Sequence, residues 1–227
     1  MINYLFDVDG TLTSSRGVMD REFKEWFLDF CTYSNVSLVT GSDRPKTIEQ
    51  VGEDLYNACD RVYNCSGNDV YEKDKQIRFN DWTLPVDAEN FLLAKVKKTK
   101  YPVKTGLHIE HRTGLVNFSI VGRNANTHER KDYYEWDKIT NERNDISEEF
   151  NRWFPNLESD VGGETGIDIF ERGKNKSQIL EDYDVTTIRF FGDRTDPTGN
   201  DYPIAMNLEP HQVYAVTSWQ HCWELLK

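Results

Sequence analysis

The apolar run Tyr4-Leu5-Phe6 stops at two carboxylates, Asp7 and Asp9, and Gly10-Thr11-Leu12-Thr13 follows them. Such a run suits a buried strand, and a glycine with two threonines breaks it into a loop. Strand alternation sends Asp7 and Asp9 to the same side, so both reach one small volume at the strand's carboxyl end. The pattern recurs. Val36-Ser37-Leu38-Val39 runs into Thr40-Gly41-Ser42-Asp43, and Pro45 then opens a helix, where proline is favoured in the first turn. Thr187-Ile188-Arg189-Phe190-Phe191 likewise ends in Gly192-Asp193-Arg194-Thr195. Alternating strands and helices predict an α/β core, a doubly wound parallel sheet whose strand-end loops build one site.

Residues 20–32 carry Phe23, Trp26, Phe27 and Phe30 at helical spacing, which marks a core face. A third strand with a turn and hairpin follows over residues 61–71. At residues 80–85 the composition shifts, and Asp81, Pro85 and Asp87 read as a hinge into a helix bearing Lys95, Lys97, Lys98 and Lys100, a solvated face. Two alternating segments, 107–112 and 116–121, predict an antiparallel hairpin. One or two acidic helices over 127–154 take Tyr133, Trp136, Phe150 and Trp153 as core anchors. The chain returns to the core at Gly173-Lys174-Asn175-Lys176-Ser177, ahead of a helix, and a last strand (212–216) and a helix (219–226) close it. The expected organisation is core at 1–81 and 172–227, with an inserted α+β domain containing an antiparallel sheet at 82–171.

Composition narrows the partners. With 39 acidic and 27 basic residues the formal charge is −12, which opposes binding to nucleic acid or to an anionic membrane. An anionic substrate must then be met by locally gathered arginines. Arg112, Arg123 and Arg130 gather at a strand end, a loop and a helix start, and the planar guanidinium suits phosphate. Four cysteines without a C-x-x-C spacing predict free thiols rather than zinc, and the odd separation of His108 and His111 argues against a shared metal. No apolar stretch approaches a membrane span and no targeting segment is evident, so the expected location is cytoplasmic.

The chemistry points the same way. A carboxylate can serve as a covalent nucleophile for a phosphoryl group, and a second one can move protons. Two anions facing a phosphate repel by on the order of several kcal/mol, so a hard cation such as Mg2+ is expected. The hydroxyls and amides of Thr40, Gly41 and Ser42 can wrap phosphate oxygens.

The D-x-D-G-T pattern at Asp7 resembles the first motif of the haloacid dehalogenase superfamily, whose core is Rossmann-like. That resemblance implies Asp7 as the nucleophile, Asp9 as general acid and base, Lys176 as the charge-neutralising lysine, and Mg2+ held by Asp7, Asp9 (through its carbonyl) and Asp193. Asn200 and Asp201 would support the metal. The runs Ile109 to Asn117, Val121-Gly122-Arg123, Glu129-Arg130 and Gly162 to Phe170 resemble the cap of the eukaryotic-type phosphomannomutases. This narrower resemblance implies that Arg16, Arg112, Arg123 and Arg130 hold sugar phosphates and that Asp168 contacts a sugar hydroxyl. It also implies interconversion of mannose 6- and 1-phosphate for GDP-mannose synthesis, a hexose 1,6-bisphosphate activator, and a homodimer formed through the cap. Gly166 departs from the family, where a serine contacts substrate. A sugar-phosphate phosphatase that discharges the same aspartyl phosphate to water is the alternative.

Overall fold

The computed structural model describes residues 1–227. It divides into two compact units, Met1–Asn80 with Lys174–Lys227, and Asp81–Gly173.

The first unit is built on a seven-stranded sheet. Its strands are β1 (Asn3–Phe6), β2 (Asn35–Val39), β3 (Arg61–Asn64), β4 (Asp69–Glu72), β5 (Lys75–Phe79), β10 (Ile188–Gly192) and β11 (Val213–Ala215), in the order β11-β10-β1-β2-β3-β4-β5. The five from β11 to β3 run parallel, and β4 and β5 add an antiparallel edge. Phe6 at the end of β1 pairs with Phe191 of β10 and Leu38 of β2, so three strands expire at one level and their loops leave side by side. Asp7 N still donates to Phe191 O at 2.9 Å, which fixes the first residue of the loop.

Alternation along β1 and β2 feeds two cores. Phe6, Val36 and Leu38 face α1 (Arg21–Tyr33), α2 (Arg44–Val51), α3 (Glu53–Ala58) and α8 (Trp219–Leu226), while Leu5 and Val39 pack with Phe190, Ile179 and Ile204 on the other face. Asp20 caps α1 by accepting from the amides of Glu22 and Phe23, and Phe23, Phe27 and Phe30 are its buried stripe. The segment after Lys176 is a 3-10 helix, Lys176–Asp182, rather than an α-helix, started by the Asn175 side chain accepting from Ser177 N. A short α7 (Tyr202–Ala205) follows β10.

The second unit carries an antiparallel sheet of β6 (Ile109–Arg112), β7 (Leu115–Phe118), β8 (Leu157–Gly162) and β9 (Gly166–Glu171), in the order β6-β7-β9-β8. Its helices are α4 (Val86–Lys98), α5 (Thr127–Thr140) and α6 (Glu142–Trp153). Val116, Phe118, Ile167 and Ile169 face an apolar cluster that includes Leu92, Tyr133 and Phe150. One expected anchor fails. Trp153 is 70% exposed because α6 ends there and Phe154 turns in instead, its ring 4.7 Å from Phe150. No helix is long and apolar enough to cross a membrane.

Phe6 is fully buried between Phe27 (5.0 Å) and Phe191 (4.8 Å). Phe6→Ala is expected to cost about 3–5 kcal/mol in denaturant unfolding, whereas Trp153→Ala should stay within about 0.5 kcal/mol.

Candidate active site

At the strand ends of the first unit, Lys176 is 2% exposed and its ammonium donates to Asp7 Oδ1 at 2.5 Å and to Asp201 Oδ1 at 2.7 Å. Asp193 joins them: one carboxylate oxygen from each of Asp7, Asp193 and Asp201 lies within 4.8 Å of the others. Gly10, at φ +88°, makes the approach possible, since a Cβ there would collide with the Asp193 carboxylate. Burial, then the neighbouring Asp201, pushes the Asp7 carboxyl well up despite Lys176. The same two causes bring Asp193 up to about 6. Burial would lower the Lys176 ammonium, but Asp201 and Asp7 outweigh it and hold it above its ordinary value.

When all are ionised, three carboxylates against one ammonium carry a formal surplus of two negative charges, and Asp7 Oδ2 is buried with no hydrogen-bond partner. An all-oxygen donor set with that charge surplus fits a hard divalent cation such as magnesium. Asp201, read from the sequence as a supporting residue, stands in the cluster itself and is fully buried; its Oδ2 accepts from Arg194 N at 3.1 Å. Asn200 precedes it in the same turn.

Asp9 is held apart from this cluster. Its Oδ1 accepts from Arg16 N at 2.6 Å and from Gln50 Nε2 at 2.9 Å. Arg16 takes φ +58° to make that turn. Gln50 was invisible to motif reading, because a glutamine on α2 carries no signal of a partner 41 residues earlier. Thr40, Gly41 and Ser42 continue β2. Thr40 Oγ1 accepts from Ser42 N (3.0 Å), while Ser66 N donates to Thr40 O and Cys65 N to Ser42 O. The loop is thereby braced from behind by Cys65 and Ser66, both at positive φ.

In the second unit, Glu110 joins two of the predicted arginines. Its Oε1 accepts from Arg112 Nε and its Oε2 from Arg123 Nε, each at 2.7 Å. Burial alone would raise the Glu110 carboxyl, but the Arg123 bond and the two positive charges outweigh it and bring it down to about 2. Arg130 is 3.5 Å from Glu164. Arg143, another residue the motifs did not mark, forms a buried pair with Asp137 (2.7 Å) and donates to Gly163 O at 3.0 Å, tying down the β8–β9 turn. Glu110, Asn117, Asp168 and Asp160 form one cross-strand row through β6, β7, β9 and β8. Asp168 Oδ1 accepts from Asn117 Nδ2 at 2.6 Å. Burial, then Glu158 and Asp168, brings Asp160 up to about 7.

A parallel sheet with acids at its strand ends and an inserted α+β unit is the fold of the haloacid dehalogenase superfamily. A haloacid dehalogenase-like hydrolase from Bacteroides thetaiotaomicron superposes with TM-score 0.56 at 12% identity, covering 89% of this chain and 84% of that one. A Synechocystis sucrose-phosphatase gives 0.60 at 11%, covering 99% and 96%. The model of the family described as eukaryotic phosphomannomutase matches residues 23–226. A phosphomannomutase of Arabidopsis thaliana is 34% identical over 88% of this chain and 85% of its own length. Phosphomannomutase 2 of Dictyostelium discoideum is 33% identical over 94% and 90%. The chain belongs to the eukaryotic phosphomannomutase family.

Two outcomes are expected. Lys176→Met strands two buried carboxylates and should cost about 3–5 kcal/mol in metal-free buffer. The Glu110 carboxyl is depressed on folding, so its contribution to stability is complete above its ordinary value of 4.5 and is lost as pH falls to about 2. Glu110→Gln should therefore flatten the pH dependence of unfolding over that window; an unchanged slope would contradict the pairing.

Proposed function

We propose that this protein is a magnesium-dependent phosphohexomutase interconverting mannose 6-phosphate and mannose 1-phosphate, in the cytoplasm and in service of GDP-mannose synthesis. The observation that carries the reading is the buried cluster of Asp7, Lys176, Asp193 and Asp201 in a chain of this family. Asp7, Asp193 and Asp201 would hold the magnesium ion, together with the Asp9 carbonyl. When bound, the ion supplies positive charge to the phosphoryl oxygens and to the carboxylates.

Asp7 is the nucleophile. Its carboxylate oxygen forms a bond to phosphorus as the bond from phosphorus to the donor's ester oxygen breaks, and Asp9 gives a proton to that leaving oxygen. In the second half, Asp9 takes the proton from a hydroxyl of the bound hexose phosphate, that oxygen attacks the phosphoryl group, and the Asp7 carboxylate leaves. Lys176 neutralises Asp7 throughout and keeps its attacking oxygen aimed. The bonds from Arg16 N and Gln50 Nε2 to Oδ1 orient the Asp9 carboxylate. Arg112, Arg123, Arg130 and Arg16 recognise substrate phosphate, Thr40, Gly41 and Ser42 contact the phosphoryl being transferred, and Asp168 reads a sugar hydroxyl. A hexose 1,6-bisphosphate primes Asp7, and the second unit joins two copies into a homodimer.

The test is mannose 1-phosphate with a catalytic amount of hexose 1,6-bisphosphate and magnesium. Mannose 6-phosphate should accumulate, and Asp7→Asn should lower the rate by about a thousandfold or more. Free phosphate with no 6-phosphate product would establish the phosphatase alternative instead.

A further inference from the structure

The chain leaves the first unit at Asn80 and re-enters it at Lys174, and only two residues later Lys176 must meet Asp7 Oδ1 at 2.5 Å. Backbone that has just crossed back needs a local hold if its side chain is to land so closely. The turn between β3 and β4 supplies one. Cys65, Ser66 and Gly67 take φ of +48°, +59° and +90° in succession. Two of the three carry a Cβ, and such residues adopt this region only where their surroundings hold them in it. Here the hold comes from two sides. Cys65 N donates to Ser42 O at 2.9 Å and Ser66 N to Thr40 O at 2.8 Å. Opposite them, Gln178 Nε2 donates to Ser66 O at 2.8 Å and to Lys174 O at 2.9 Å. Gly67 lies against the same 3-10 helix: a Cβ there would come 2.9 Å from Ile179 Cγ2 and 3.1 Å from Gln178 Cγ.

Asn68 closes the turn and is almost fully buried. Its Nδ2 donates to Cys65 O at 2.8 Å and to Lys174 O at 3.3 Å, and its Oδ1 accepts from Asn80 Nδ2 at 3.0 Å. Its backbone carbonyl accepts from Asn80 N at 2.9 Å. One residue therefore grips both points at which the chain leaves and re-enters the unit. A carboxylate of the same shape would have no proton for Lys174 O, and an aliphatic side chain would lose all three side-chain bonds.

We propose that Asn68 and Gln178 are positioning residues for the phosphoryl transfer: together they hold the Lys174 carbonyl to the Cys65–Asn68 turn, and so set the Lys176 ammonium against Asp7 and Asp201. Neither touches the reacting atoms. The turn also carries the backbone bonds to Thr40 and Ser42, so that loop and the lysine share one reference point. This rests on the reading above in which Lys176 neutralises Asp7 during the reaction.

Two variants of near-native shape, Asn68→Asp and Gln178→Met, each remove one donor to Lys174 O. The first readout needs no substrate. Reductive methylation with formaldehyde and cyanoborohydride, read by peptide mass spectrometry, measures access to Lys176, while maleimide capture of the buried Cys222 in α8 reports unfolding of the whole. Each variant should raise methylation of Lys176 about tenfold with Cys222 still protected. Lys176 as protected as in the wild type, or Lys176 and Cys222 opening in step, would overturn the proposal. The second readout is turnover of mannose 1-phosphate with catalytic hexose 1,6-bisphosphate and magnesium. There kcat should fall about tenfold to a hundredfold with KM within about threefold, since the arginines read as holding substrate phosphate are untouched. An unchanged kcat, or a rise in KM alone, would also overturn it. Wild-type protein that turns over no hexose phosphate would end the functional reading, and the methylation result would still decide whether Asn68 and Gln178 place the lysine. If Asn68→Asp does not fold, Gln178→Met tests the same carbonyl from the other side.

Discussion

A lysine buried to 2% exposure between two aspartates, with a third at hand, is the constraint on which the first unit turns. Removing one ammonium and three carboxylates from water is costly unless they are mutually paired and a further positive charge completes the set. Pairing them demands that segments far apart in sequence end at one place. The parallel sheet supplies that: β1 delivers Asp7, its neighbour β10 delivers Asp193, and the segment after the inserted unit delivers Lys176. Two glycines admit the carboxylates. Gly10 makes room for Asp193, and a Cβ on Gly192 would meet Asp201 Oδ2 at 2.6 Å. The aromatic packing of Phe6, Phe27 and Phe191 directly behind the loops keeps the strand ends from shifting.

The second unit solves a different electrostatic problem. In a chain of net charge −12 it gathers two of its arginines on one glutamate. Glu110 takes the Nε edges of Arg112 and Arg123 with its two oxygens, which spends one negative charge to orient two guanidinium groups. The other face of the sheet carries Asn117 and Asp168, beside the buried pair Leu115 and Phe170.

Much of this was legible in the order of residues, and the limits are physical. Runs that end in Asp-x-Asp-Gly-Thr, in Thr-Gly-Ser-Asp or in Gly-Asp-Arg-Thr announce strands that stop at functional loops, because buried strands and polar loops differ sharply in composition. Asp7 and Asp193 could thus be expected at neighbouring strand ends, whereas Lys176 was expected beside them only through the resemblance to the haloacid dehalogenase superfamily. Interactions that depend on side-chain reach across the fold left no such trace. Gln50 meets Asp9 across 41 residues, Asn117 meets Asp168 across 51, and Asp201 enters the acidic cluster because its turn folds back onto Lys176. Trp153 followed the helical period and still ended in solvent, because the helix stops there and Phe154 takes the place.

The central claim is that phosphate passes through the Asp7 side chain. The direct measurement is to mix the protein with hexose 1,6-bisphosphate and magnesium, quench, and reduce with borohydride, which converts an aspartyl phosphate to homoserine. Peptide sequencing by mass spectrometry then locates it. The account predicts homoserine at position 7 and nowhere else. Homoserine at 9, 193 or 201, or none while mannose 6-phosphate is being formed, would contradict it.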